Sequence, residues 1–143
     1  MSLYLDTSVF VALLTDDLFT RQADRYLRAS GEIISVSDLG AAEYSSVLAR
    51  RVRAGVITAN QARGSFATFD AWRVRAARQL ELDAADLVAA DAWLRCLDPP
   101  LRTLDALHIA IAQRIDATLV TFDQRMAAAA RALAIPVVIP AGS

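Results

Sequence analysis

The sequence predicts an α/β fold: a short, mainly parallel sheet flanked by helices on both faces. Three observations carry that prediction. Brief apolar runs recur at Ser2–Leu5, Ile33–Val36, Leu80–Leu82, Thr118–Phe122 and Pro136–Ile139. Segments with helical periodicity lie between them. Cap and turn residues mark the junctions, as they do where strands and helices alternate. Strands separated by helical crossovers pair in parallel, and a parallel sheet needs cover on both faces.

Each element follows from local chemistry. Ser2–Leu5 is a short buried strand, and a helix follows from about Ser8 to Leu14. Thr20 to Ala29 is helical and Gly31 ends it. Ile33–Val36 forms the second strand. Ser37 or Asp38 then caps a long helix through Arg53, which Gly55 closes just past its end. Thr58 and Gln61 have capping-box spacing and open a helix to about Arg78. Leu80–Leu82 is a brief strand, and Asp83 caps a helix toward Leu97. The Asp98-Pro99-Pro100 turn breaks the chain before a helix over Leu101–Ile115. Thr118–Phe122 is a strand, Gln124–Ala134 a helix, and Pro136–Ile139 the last strand.

The 143 residues suit one domain spanning 1–143, large enough to bury a core without disulfides. A lone cysteine, Cys96, cannot bridge within the chain, which fits a reducing cytoplasmic setting. No basic leader precedes the first apolar run and no span is long enough for a membrane, so neither secretion nor insertion is expected. All fifteen basic residues are arginine, which excludes any chemistry that needs a lysine.

Four acids interrupt apolar or alanine-rich contexts. Asp6 divides "LYLDTSVFVALL"; Glu43 is one of only three glutamates; Asp105 sits in "LRTLDALHIAIA"; Asp123 ends "ATLVTFD". Asp6 and Asp123 follow strand ends, where ligands of parallel sheets bind. Each acid has a structural alternative, an N-cap for Asp6 and Asp123 and a solvent face for Glu43. As a group they are harder to explain. Two carboxylates about 4 Å apart repel by about 4 kcal/mol at an effective dielectric of about 20. Total stability is only about 5–15 kcal/mol, so folding alone would not gather them. Divalent cations reverse the sign, and a hard oxygen set suits Mg²⁺ or Mn²⁺.

The motifs "LYLDTSVFVALL", "SDLGAAEYSSVLARR", "LRTLDALHIAIA" and "ATLVTFDQRM", in this order, resemble the PIN-domain ribonucleases, above all the VapC toxins of toxin–antitoxin pairs. The resemblance spans nearly the whole chain and is silent over about Ala59 to Pro100. It implies a three-layer α/β/α PIN-like fold. It also implies a Mg²⁺- or Mn²⁺-dependent endoribonuclease whose metal pocket is Asp6, Glu43, Asp105 and Asp123. Cleavage would leave 5′-phosphate and 3′-hydroxyl ends. Thr7, Ser8 and Thr121 are accessory candidates whose hydroxyls orient ligands or waters, with N-capping the alternative for Ser8. An RNA substrate such as transfer or ribosomal RNA, a cognate antitoxin and a homodimer are the implied partners.

Other residues carry competing readings. His108, the only histidine, lies one turn after Asp105 and suits a packed or ligand-supporting role better than a base. Arg50, Arg51 and Arg53, with Arg73, Arg75 and Arg78, suit RNA phosphates or a solvated helix face equally. Trp72 and Trp93 fit core or dimer contacts. Aspartyl-phosphate chemistry fails for want of lysine and of a second acid two residues after Asp6. A binding module without turnover, and an RNA-processing nuclease outside any toxin pair, stand as alternatives.

Overall fold

The structure is a computed structural model that describes residues 1–142. Its strands are β1 (Ser2–Leu5), β2 (Ile33–Ser37), β3 (Arg78–Leu80), β4 (Thr118–Val120) and β5 (Val137–Val138). Its helices are α1 (Thr7–Leu14), α2 (Thr20–Ser30), α3 (Asp38–Arg53), α4 (Ala59–Ala76), α5 (Ala84–Arg95), α6 (Thr103–Arg114) and α7 (Gln124–Ala132).

All pairings are parallel and the strand order is β3-β2-β1-β4-β5. The alternation of side chains along β1 assigns the two faces. Leu3 and Leu5 enter a core with Val9, Phe10, Tyr44, Leu48 and Phe69, from α1, α3 and α4. Tyr4 enters the opposite core with Ile109, Ile111, Met126 and Ala130, from α6 and α7. The expected three-layer α/β/α architecture is what forms. Trp72 packs against the first core and Trp93 against the second.

The chain leaves β1 toward β2 and β3 on one side, then returns to β4 and β5 on the other. That reversal places a crevice beyond the carboxyl ends of β1 and β4, where doubly wound sheets bind ligands. Asp6 is the first residue past β1 and donates its backbone N–H to Val120 O of β4 at 3.2 Å.

Several element boundaries move. The third strand is Arg78–Leu80, not Leu80–Leu82, because parallel pairing with β2 sets Ser35 opposite Arg78 and Ser37 opposite Leu80. The preceding helix therefore stops at Ala76. α6 starts at Thr103 because Arg102 is extended (ψ 157°). β4 stops at Val120, α7 stops at Ala132, and β5 shortens to Val137–Val138. Gly31 and Gly55 hold the left-handed φ of 63° and 74° expected past helix ends.

Candidate active site

Asp6 is 3% exposed, and its side chain does not cap α1 even though its backbone occupies the N-cap position. Hydroxyls take both carboxylate oxygens instead: Ser8 Oγ donates to Oδ1 at 2.5 Å and Thr121 Oγ1 to Oδ2 at 2.6 Å. Backbone groups set the direction of those hydroxyls. Phe122 N–H donates to Ser8 Oγ at 3.0 Å and Asp123 N–H to Thr121 Oγ1 at 2.9 Å, so each hydroxyl proton is turned toward Asp6. Burial still pushes the Asp6 carboxyl above its usual range, against the pull of these hydrogen bonds.

Glu43 lies on α3, one turn beyond Gly40, and Thr7 Oγ1 donates to its Oε1 at 3.0 Å. His108 Nε2, buried on α6, contacts the same oxygen. Burial raises the Glu43 carboxyl, but the bonds from His108 and Thr7 and the nearby Arg50 charge outweigh it and hold it below the usual range. Asp105 lies in the first turn of α6. Burial first, and the Asp123 charge second, push its carboxyl up, only partly offset by Arg102. Asp123 caps α7 through Oδ1, which accepts from Arg125 N at 2.9 Å and Met126 N at 3.2 Å.

All four acids line one cleft of about 380 Å³, together with Thr7, Ser8, His108, Arg50 and Arg102. Among the described residues no three His, Cys, Asp or Glu side chains are grouped tightly enough to hold an ion by themselves. The donors nonetheless fit a hard divalent cation. They are carboxylate oxygens, Asp6 held above its usual range by burial and Asp105 by burial and then the charge of Asp123, and Mg²⁺ reaches such groups while keeping several waters.

Thr121 stands outside the cleft lining yet holds Asp6. Of the arginines in the two clusters, only Arg50 lines the cleft, while Arg73 pairs with Asp70 at 3.4 Å and stacks on Phe69. Arg102 was not singled out from the sequence. The available signal was its place three residues before Asp105, to which its Nε comes within 3.6 Å. Tyr4 was missed too, and Ser37 was read only as a helix cap. A phenol inside a buried strand must find a polar partner, and that signal was present.

The sequence profile of the PIN domain matches residues 3–132. Ribonuclease VapC46 of Mycobacterium tuberculosis is 35% identical over 142 residues, spanning 97% of this chain and 98% of that protein. Among solved structures, the Mycobacterium tuberculosis toxin VapC20, described as cleaving the sarcin–ricin loop, superimposes with a TM-score of 0.72. It shares 21% identity over 89% of this chain and 94% of its own. A toxin–antitoxin complex from Klebsiella pneumoniae gives a TM-score of 0.63 at 17% identity, with both chains fully covered.

Proposed function

The chain belongs to the PIN domain family, and from that premise we propose that it is a Mg²⁺- or Mn²⁺-dependent endoribonuclease acting as the toxin of a toxin–antitoxin pair. The observation that carries the reading is the convergence of four carboxylates, from four separate segments, on one cleft at the sheet's switch point. The 35% identity to a protein named a ribonuclease supports it.

Asp6 and Asp105 are the first ligands, with Glu43 beside them and Asp123 reaching an ion through water, since its Oδ1 is engaged as a cap. The bound ions would supply an activated water and neutralise charge on the scissile phosphate. The protein's own groups do the rest. Ser8 and Thr121 hold both oxygens of Asp6 in place, and Thr7 holds Glu43. Arg50 and Arg102, on the cleft wall, are placed to grip RNA phosphates and fix the strand's position. The proposal extends to a cognate antitoxin, to a homodimer and to action in the cytoplasm. No helix among the described residues is long and apolar enough to cross a membrane.

One observation favours a second reading, a binding module without turnover: the carboxylates line a cleft but do not form a tight three-ligand group. Cleavage of total RNA by purified, antitoxin-free protein separates the two. Discrete fragments with Mg²⁺ or Mn²⁺, lost with EDTA and with Asp105→Asn whose fold is verified by circular dichroism, are expected of the nuclease. Intact RNA together with no metal binding by calorimetry supports the module.

A further inference from the structure

We propose that His108 is a positioning residue: a buried Tyr4–Ser37–Gly40 relay keeps its proton on Nε2, and that proton pins one oxygen of Glu43 so that the other is left for the cleft. The inference rests on Glu43 serving the proposed nuclease site, but its first test does not.

The relay crosses the interior from one element to the next. Gly40 N–H donates to Ser37 Oγ at 3.0 Å, the cap bond of α3. Ser37 Oγ lies 2.7 Å from Tyr4 Oη, and Tyr4 Oη lies 2.7 Å from His108 Nδ1. His108 Nε2 meets Glu43 Oε1. Tyr4, Ser37 and His108 are at most 1% exposed, so solvent does not supply alternative partners.

Counting protons assigns every direction. An ionised carboxylate only accepts, so Nε2 must donate. In the neutral ring Nδ1 then holds a lone pair, and Tyr4 donates to it. Tyr4 Oη in turn accepts from the Ser37 hydroxyl, whose oxygen accepts from Gly40 N–H. Each proton in the chain has an acceptor. A proton on Nδ1 instead would set two acceptors against each other at Glu43. A doubly protonated ring would reverse Tyr4 and leave the Ser37 proton without an acceptor among the described residues, a buried unmade hydrogen bond. The partner of one ring nitrogen thus sets the state of the other.

At the far end the relay selects one carboxylate oxygen. Glu43 Oε1 receives both His108 and Thr7, while Oε2 has no hydrogen-bond partner among the described residues. A glutamate side chain is long and rotamer-rich, so two donors on one oxygen hold the other ready. Groups that orient a ligand in this way are worth about 10–100-fold in metal affinity or activity.

The chain has one histidine, so a ¹⁵N-labelled full-length protein without a histidine tag gives ring signals from His108 alone. The expected spectrum at neutral pH has one protonated Nε2 and one unprotonated Nδ1. A proton on Nδ1, signals averaged between tautomers, or two protonated nitrogens overturn the proposal. Mn²⁺ titration by calorimetry reads the positioning role directly. Tyr4→Phe and His108→Ala, verified as folded, should bind Mn²⁺ about 10–100-fold more weakly. His108→Gln, which restores a donor toward Glu43, should recover most of the loss. Should Tyr4→Phe fail to fold, His108→Ala and its rescue by His108→Gln carry the test. Unchanged affinity in the folded variants overturns the role. A wild-type chain without Mn²⁺ affinity overturns the nuclease reading instead, and the spectrum then decides the locked tautomer by itself.

Discussion

Asp6 and Asp123 are the same residue type at the same kind of place, a helix N-cap after a parallel strand, yet the fold uses them differently. Asp123 spends Oδ1 on the first turn of α7, whereas Asp6 leaves α1 uncapped by its side chain and gives both oxygens to hydroxyls. An N-cap bond stabilises a helix by about 1 kcal/mol. α1 forgoes it, and the buried charge carries a further cost, one that the proposed cation would offset. The pH dependence follows from the raised Asp6 carboxyl. Without metal, the folded state binds this proton more tightly than the unfolded chain does. Its stabilising contribution is therefore full below the unfolded pKa and is lost as pH rises through the higher folded value. Asp6→Asn removes the charge; Thr121 must then turn to accept from the amide and its own proton loses its acceptor, a cost that is the same at every pH. In metal-free thermal melts, the variant should gain stability over wild type as pH rises above the acidic range. A pH-independent difference between the two would contradict this account.

At the scale of elements, α3 is the part that most tightly couples packing to the site. Ser37 caps it, its first turn passes Phe10, and its second turn presents Glu43. Gly40 makes that passage possible. A Cβ there would stand 2.8 Å from Phe10 Cε2 and 3.2 Å from its Cζ, and Phe10 is fully buried beside Phe69 and Trp72. Alanine is the better helix former by about 1 kcal/mol. Overpacking a filled core costs about 1–3 kcal/mol. Gly40→Ala should therefore lower the melting temperature, with a shifted α3 that weakens the Thr7–Glu43 bond. A melting temperature at or above wild type would show that Phe10 yields. The caps were legible in the sequence because they are local: Thr58 with Gln61 takes the predicted role on α4, and of the two candidates for α3, Ser37 is the cap. β3 was not. Arg78 and Gln79 are exposed and polar, so apolar content points two residues too far along, and only pairing with β2 identifies the strand.

Across the whole molecule, the acids reach one cleft from the ends of β1 and β4, from α3 and from the start of α6. The gathering of charge predicts a specific response to divalent ions. A ligand at about 100 times its Kd stabilises the native state by about 2.7 kcal/mol. Thermal melts in Mg²⁺ or Mn²⁺ should thus lie several degrees above melts in EDTA, and Asp105→Asn should remove most of that difference. Equal melting temperatures for wild type in the ion and in chelator would count against the carboxylates as a metal site. The ion pair between buried Asp86 and exposed Arg114, at 2.8 Å between α5 and α6, is remote from the cleft lining and should respond to neither condition.

The sequence by itself determined the fold class, the order of elements, the family resemblance and the positions of the four acids. Those properties rest on periodicity, caps and motifs within a few residues of one another. Tertiary structure decided which groups hold the acids. Asp6 meets Thr121 across 115 positions and Tyr4 meets His108 across 104, contacts that no local pattern encodes. The physical reason is that a buried carboxylate or imidazole takes whichever donors the packed layers bring within about 3 Å, and that choice exists only once the sheet has closed.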